Sequence, residues 1–421
     1  MIIKNSMIYL GSGILSRSLP FLLMPIMTKY LSPEEYGLMS VFFVIMTFYS
    51  AFIGMNIHAN ISKNFYKIPK EELSEYIGNM FYILIFTFLL YLLITYVITT
   101  LYIRIFSIPT YWLFIIPFIS VMMMINDLNT TILRNEQRAY MFGVFEVSNM
   151  FIKMSMTILF LLVFSFGWYS QVLGTLIGAF VFFFIGIWYM SKRDYINMKF
   201  NIEKIKSILN ISIPFIPHVL GGVIIAMSDR LFIEMMIGLE AVGIYTVGYS
   251  FGMLVMIIVD SFIKAWSPWF YKSLVKPTYE IKIKIVKYTY FFIIGIFIIA
   301  FLASLLAQYV LPYIVDEKFY SAEEFIFWVA IGYAIRGVYQ IFFPYLVHIS
   351  RTSFLAISTV IAAIINLILN YLLIDLYGAI GAAYATALAF AVSAVLVVWY
   401  QQKNYYMPWF FKHGINVQNK D

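Results

Sequence analysis

Long apolar runs separated by charged or turn-rich breaks recur along the whole of this chain. In the first half they fall at about 7 to 31, 37 to 61, 76 to 101, 111 to 133, 141 to 164 and 170 to 190. In the second half they fall at about 208 to 237, 241 to 266, 287 to 311, 325 to 348, 352 to 376 and 380 to 400. Each is long enough for an α-helix to cross the roughly 30 Å of bilayer hydrocarbon. The pattern predicts an all-α integral membrane protein of about 12 transmembrane helices, with no room for a soluble domain. Lys4 precedes the first run, which is too long for a signal-peptide core and lacks a small-residue cleavage site, so it is expected to remain as a span.

Composition strengthens this reading. The chain is 62% hydrophobic and 12% charged, with a mean hydropathy of +0.88, where soluble domains carry about 25% charged residues. The net charge of +7 does not point to nucleic acid, because its Lys and Arg are scattered between apolar runs. They report topology instead. With the N-terminus inside, 20 of the 22 loop Lys and Arg fall on the inner side, and only Arg104 and Lys318 fall outside. The positive-inside rule then predicts both termini in the cytoplasm. There is no cysteine, hence no disulfide and no thiolate metal site.

The longest polar connection, Ser191 to Ser207, divides the chain into two expected domains, 1–200 and 201–421, each a six-helix bundle. A repeat flanks it. Leu31-Ser-Pro-Glu-Glu-Tyr-Gly37 joins the first two spans and Gly238-Leu-Glu-Ala-Val-Gly243 the seventh and eighth, so aligning Gly37 with Gly243 gives an offset of 206. Six spans per half start both halves on the same side, which predicts a pseudo-two-fold axis along the membrane normal. The first helix of each half also carries prolines, Pro20 and Pro25 in one, Pro214 and Pro217 in the other with Gly221 and Gly222 following. Interrupted helices at corresponding positions point to a transport site between the bundles, packing kinks being the plainer alternative.

With these residues the chain resembles the Wzx-type polysaccharide flippases of O-antigen and capsule export. That superfamily also holds multidrug extruders and the peptidoglycan lipid flippase. The carrying segments are Leu31 to Gly37, Ile213-Pro-Phe-Ile-Pro-His218, and Ser228-Asp-Arg-Leu-Phe-Ile233 running on to Tyr245. The resemblance implies alternating-access export of an undecaprenyl-pyrophosphate-linked oligosaccharide from the cytoplasmic to the outer face. Its partners would be that lipid-linked oligosaccharide, the bilayer and other membrane proteins of polysaccharide assembly, with no nucleic acid. No cofactor or metal is implied, and the coupling ion, proton or sodium, stays open.

Charges within the spans supply the candidate site. Arg17, Lys153 and Arg336 lie near mid-span, where insertion costs roughly 2.5 to 3.5 kcal/mol and a lipid-facing position is disfavoured. With Arg230 they form the expected substrate-binding set, since guanidinium offers phosphate a permanent charge and a planar fork of donors. Arg17 and Arg336 are expected to face one shared cavity. Asp229, Asp260, Glu146 and His218 are the candidates for coupling or gating. Among local pairings, Asp260 and Lys264 are expected to pair at i,i+4, and Glu146 lies two turns from Lys153. Asp229 and Arg230, adjacent and pointing apart, are each expected to find a partner elsewhere. His218 reads first as a hydrogen-bonded structural histidine.

Gly174-x-x-x-Gly178 and Gly248-x-x-x-Gly252 are read as packing motifs within the bundle. A drug antiporter of the same fold would want acids in its cavity, and the mid-depth charges here lean cationic. A polymerase or sugar transferase would need an acid, base or metal constellation at a membrane face; no His-x-x-x-His or carboxylate cluster in a long outer loop provides one. The protein is therefore not expected to be an enzyme.

Overall fold

The computed structural model describes residues 2–101, 105–275 and 277–410; the side chains of residues 2–6, 10, 14, 17 and 20 lie outside the description. The first half comprises α1 (Ile2–Arg17), α2 (Leu19–Tyr30), α3 (Pro33–Gly54), α4 (His58–Asn64), α5 (Lys70–Thr100), α6 (Thr110–Leu113), α7 (Ile115–Asn135), α8 (Ala139–Leu162) and α9 (Tyr169–Lys192). The second comprises α10 (Ile202–Ser212), α11 (Ile216–Met236), α12 (Leu239–Gly252), α13 (Leu254–Ser273), α14 (Tyr279–Ile314), α15 (Glu323–His348), α16 (Thr352–Tyr377) and α17 (Ile380–Asn404). No strand occurs among the described residues. Among the described residues eleven helical runs are long and apolar enough to cross a membrane, and the remaining expected span corresponds to α1 and α2, which break at Ser18.

The two lobes meet where the repeat is written. Ser32 caps α3 by accepting from the Glu35 backbone N–H at 3.1 Å, and the Glu35 carboxylate accepts from the Ser32 N–H at 3.1 Å. This capping box satisfies two donors that the helix itself cannot pair. Gly238, at φ +131°, supplies the backbone angle that starts α12. Beyond these caps α3 and α12 pack on each other so closely that a Cβ on Gly37 would strike the Leu239 carbonyl, and one on Gly243 would strike the Pro33 carbonyl. One turn on, Ser40 and Thr246 share a hydrogen bond at 2.8 Å, again 206 residues apart. The repeat motifs are thus the two halves of one interface.

More contacts join the lobes on this same face. The Ser107 N–H donates to Glu234 at 2.5 Å, Lys318 Nζ donates to the Lys29 carbonyl at 3.4 Å, and Tyr36 meets Phe319 edge to face. At the opposite end the segment after α9 lies along α5. The Asn79 amide donates to the Lys199 carbonyl at 2.9 Å and accepts from the Asn201 N–H at 2.9 Å, while Gly78 lets the Asn197 carbonyl approach. Glu136 there binds both Arg193 and the Tyr195 hydroxyl. Burial and this carboxylate raise Tyr195 above the ordinary phenol range, so it remains a donor.

The proline-rich helices depart from expectation. The first span breaks at Ser18, whereas the seventh breaks at its entrance, in the 3-10 turn Ile213–Phe215. At an offset of 206, Ser18 corresponds to Ile224, inside unbroken α11. Pro217 sits in the first turn of α11, where a missing N–H costs nothing, so that helix needs no break at mid-span. Both small-residue motifs serve packing within a lobe. A Cβ on Gly174 or Gly178 would strike Thr157 or Lys153 of α8, and one on Gly248 or Gly252 would strike Ala322 or Val329.

Candidate functional site: a cationic cavity in the second lobe

Five helices of the second lobe, α11, α13, α15, α16 and α17, surround a half-open cavity of about 500 Å³. Helix α15 supplies most of its polar wall, because Tyr333, Arg336, Gln340 and Phe343 recur at three- and four-residue spacing and share a face. His218 and Gly222 come from α11, Met256 and Ile263 from α13, Thr359 from α16, and Phe390 and Ser393 from α17. Gly222 has open space where a Cβ would stand, which keeps that wall low.

Arg336 is the charge of this cavity. Its guanidinium lies 5.8 Å from the Tyr333 ring centre, and its Nη1 is buried without a hydrogen-bond partner. No carboxylate pairs with it among the described residues. One turn further, Gln340 donates to Asp260 of α13 at 3.0 Å and leaves its own Oε1 unpartnered. A buried guanidinium nitrogen without an acceptor is costly in a bilayer, and an anionic guest would supply what it lacks.

Arg230 behaves differently, and the expectation for it is corrected. Asp229 and Arg230 pair with each other, Nη1 to Oδ1 at 3.0 Å, with the same nitrogen bonded to the Ala226 carbonyl at 3.2 Å. The long arginine chain curls back against its own helix, so neighbouring positions pointing apart are no obstacle. Tyr245 donates to the other Asp229 oxygen, and the guanidinium stacks 4.3 Å over the Tyr249 ring. Asp229 is fully buried and Arg230 is 7% exposed, which places the pair inside the lobe rather than on the cavity wall. Tyr249 and Tyr333 share a hydrogen bond at 2.7 Å, so the buried pair and Arg336 are linked through two rings.

The other expected residues divide. Asp260 does not form the expected i,i+4 ion pair with Lys264 among the described residues; Lys264 is exposed, as a snorkelling lysine should be. His218 lines the cavity with its Nδ1 buried and unpartnered, against the expected hydrogen-bonded role. Lys153 belongs to the first lobe, where it packs over Gly178 and lies within electrostatic reach of Asp127 and Glu146. Neither acid forms an ion pair with it within 4 Å among the described residues. The Arg17 side chain lies outside the described residues, and so does the shared cavity expected of it.

Sequence reasoning passed over Gln340, the Tyr249–Tyr333 pair and a buried cluster in which Ser228 donates to Asn366 at 3.1 Å beside Asn370. Gln340 was within reach, one turn from Arg336 on the same face. Ser40 and Thr246 share the offset already marked by Gly37 and Gly243.

Solved structures share the fold. An inward-facing multidrug resistance MATE family transporter of the MOP superfamily superposes with a TM-score of 0.74 at 14% identity, over 92% of this chain and 94% of that one. The lipid II flippase MurJ in an inward closed conformation gives 0.68 at 18% identity, over 95% and 87%. Two helical lobes joined at α3 and α12 therefore have the same fold as these two solved membrane proteins. Within that class the sequence is more particular: residues 2–274 match the family model for polysaccharide biosynthesis proteins, and the chain belongs to that family. The Lsg locus putative protein 1 of Haemophilus influenzae is 20% identical over 369 residues, covering 86% of this chain and 89% of the relative.

Proposed function

We propose that this protein is a flippase that carries a polyprenyl-pyrophosphate-linked oligosaccharide from the cytoplasmic to the outer face of the cytoplasmic membrane. The observation that carries the reading is Arg336, a permanent cation without a carboxylate partner in a cavity bordered by hydroxyl, amide and imidazole groups. Such a lining suits a pyrophosphate and its first sugars, and suits an organic cation poorly. Membership of the polysaccharide biosynthesis family supports the glycan. Alternation comes from the two lobes rocking about the α3–α12 contact, which in this structure holds one face shut.

Direction follows from the charge pattern. With 20 of the 22 loop cations inside, the closed face is the outer one and the Arg336 cavity is approached from the cytoplasm. An inside-negative potential then favours outward movement of an anion by about 2.3 kcal/mol per charge per 100 mV. Proteoliposomes holding the purified chain test this directly. Lipid-linked oligosaccharide should become accessible on the far leaflet, faster with the potential applied in that sense. Uptake of organic cations without any movement of the lipid-linked sugar would replace this reading with a drug antiporter.

A further inference from the structure

The two lobes can be matched residue by residue where α7 turns into α8 and α15 into α16. Gln137 and Ser350 both stand at positive φ, 58° and 57°. Beside them the Arg138 and Arg351 N–H groups reach back to the Leu133 and Leu346 carbonyls at 3.0 and 2.8 Å. Residues the same number of steps from these two turns therefore hold the same place in their lobes. On that count Tyr339, Gln340 and Thr359, which line the Arg336 cavity, correspond to Asn126, Asp127 and Glu146 of the first lobe. Arg336 itself corresponds to Met123. Gly37 and Gly243 approach each other's helix reciprocally, so the two-fold relation between the lobes passes through the α3–α12 contact and sets the matched walls on opposite sides of the space between them.

The first-lobe wall keeps the polarity of its counterpart and loses the arginine. Asp127 is exposed near the middle of α7, where a charge facing lipid is disfavoured, so it looks into an aqueous space. Neither its carboxylate nor that of Glu146 has a hydrogen bond or ion pair among the described residues. Asn126 is 8% exposed, with its Oδ1 buried and unpartnered. Lys153, two turns beyond Glu146 on α8, lies within electrostatic reach of both acids. Carboxylates only accept hydrogen bonds, an ammonium only donates them, and an amide does both; a set of this kind suits sugar hydroxyls, which also do both. A bare cation fits it less well, because the lysine already supplies one.

We propose that Asn126, Asp127 and Glu146 form the glycan subsite of the cargo and select sugars bearing hydroxyl or amino groups over sugars bearing carboxylates. This rests on the export reading above and deepens it by naming the class of glycan. Gln340 stands one helical turn from Arg336, about 6 Å along the axis, and Asp127 holds the matching level in the first lobe. A pyrophosphate on Arg336 thus leaves its first sugars beside the acids. A carboxylate on those sugars would meet two others, and like charges so placed repel. Glu146, expected from sequence to serve coupling or gating, is assigned here to the cargo.

The test uses the full chain in proteoliposomes with two cargoes on one polyprenyl pyrophosphate: a trisaccharide of neutral hexoses, and the same trisaccharide with a hexuronic acid as its first sugar. The parent should move the neutral cargo about tenfold faster than the acidic one. Asp127→Asn and, separately, Glu146→Gln should each bring that ratio toward one. Ratios are taken within one preparation, so a poorly inserted variant still reports. Equal rates for the two cargoes in the parent, or a ratio unchanged in both variants, overturn the subsite and leave the export reading in place. Displacement of bound neutral cargo by tetraphenylphosphonium in nanodiscs also overturns it, making this wall a cation site. Preferential binding of the neutral cargo in nanodiscs by a protein that moves neither keeps the subsite and removes the export reading.

Discussion

Arg230 and Arg336 sit in the same lobe and flank one hydrogen-bonded pair of tyrosines, Arg230 over Tyr249 and Arg336 beside Tyr333, yet their surroundings are opposite. Arg230 has a carboxylate at 3.0 Å, a backbone carbonyl and a ring beneath it, and is closed off from the cavity. Arg336 has the Tyr333 ring, an unsatisfied Nη1 and open space in front. A compensated buried charge holds helices in place, and an uncompensated one on a cavity wall is available to a guest. Position along the span does not settle their roles, because compensation depends on partners that only the fold brings together.

The largest effect should come from breaking the compensated pair. Asp229→Ala leaves Arg230 buried without its counter-ion, which costs about 3 to 5 kcal/mol. The amount of inserted protein should collapse, as read by membrane immunoblot. Normal accumulation of Asp229→Ala would show that Arg230 reaches water, and the contrast would fail. A middle-sized effect is expected at the interface between lobes. Gly243→Leu drives a side chain into the Pro33 carbonyl and the Gly37 backbone, and overpacking of this kind costs about 1 to 3 kcal/mol. That face should open, so a cysteine at Ser40 should label faster with a soluble thiol reagent than in the parent. Unchanged labelling would mean that α3 and α12 do not govern closure.

The smallest effect tests the link between the two arginines. Tyr249→Phe removes the hydroxyl bond to Tyr333 while keeping the ring under Arg230, a loss of about 1 kcal/mol. Thermal unfolding should fall by a few degrees while cargo binding stays within twofold. A large loss of binding would join the buried pair to the site.

Apolar periodicity located eleven of the spans directly, because bilayer thickness fixes helix length and little else competes. The offset between Gly37 and Gly243 even marked the contact between lobes, since close helix approach demands small residues on both sides. What stayed illegible was pairing. Asp229 with Arg230, and Gln340 with Asp260, depend on side-chain reach and on helices brought together only by the fold. The break at Ser18 was likewise hidden, because proline permits a break without fixing its position.

Whether Arg336 serves cargo rather than structure is decided by one two-sided measurement: inserted protein beside flipping of lipid-linked oligosaccharide for Arg336→Ala and Arg336→Lys. Both variants should accumulate normally, with flipping reduced about tenfold or more in the alanine variant and partly retained in the lysine variant, which keeps the charge without the planar fork. Normal flipping in Arg336→Ala, or loss of the protein in both variants, would contradict it.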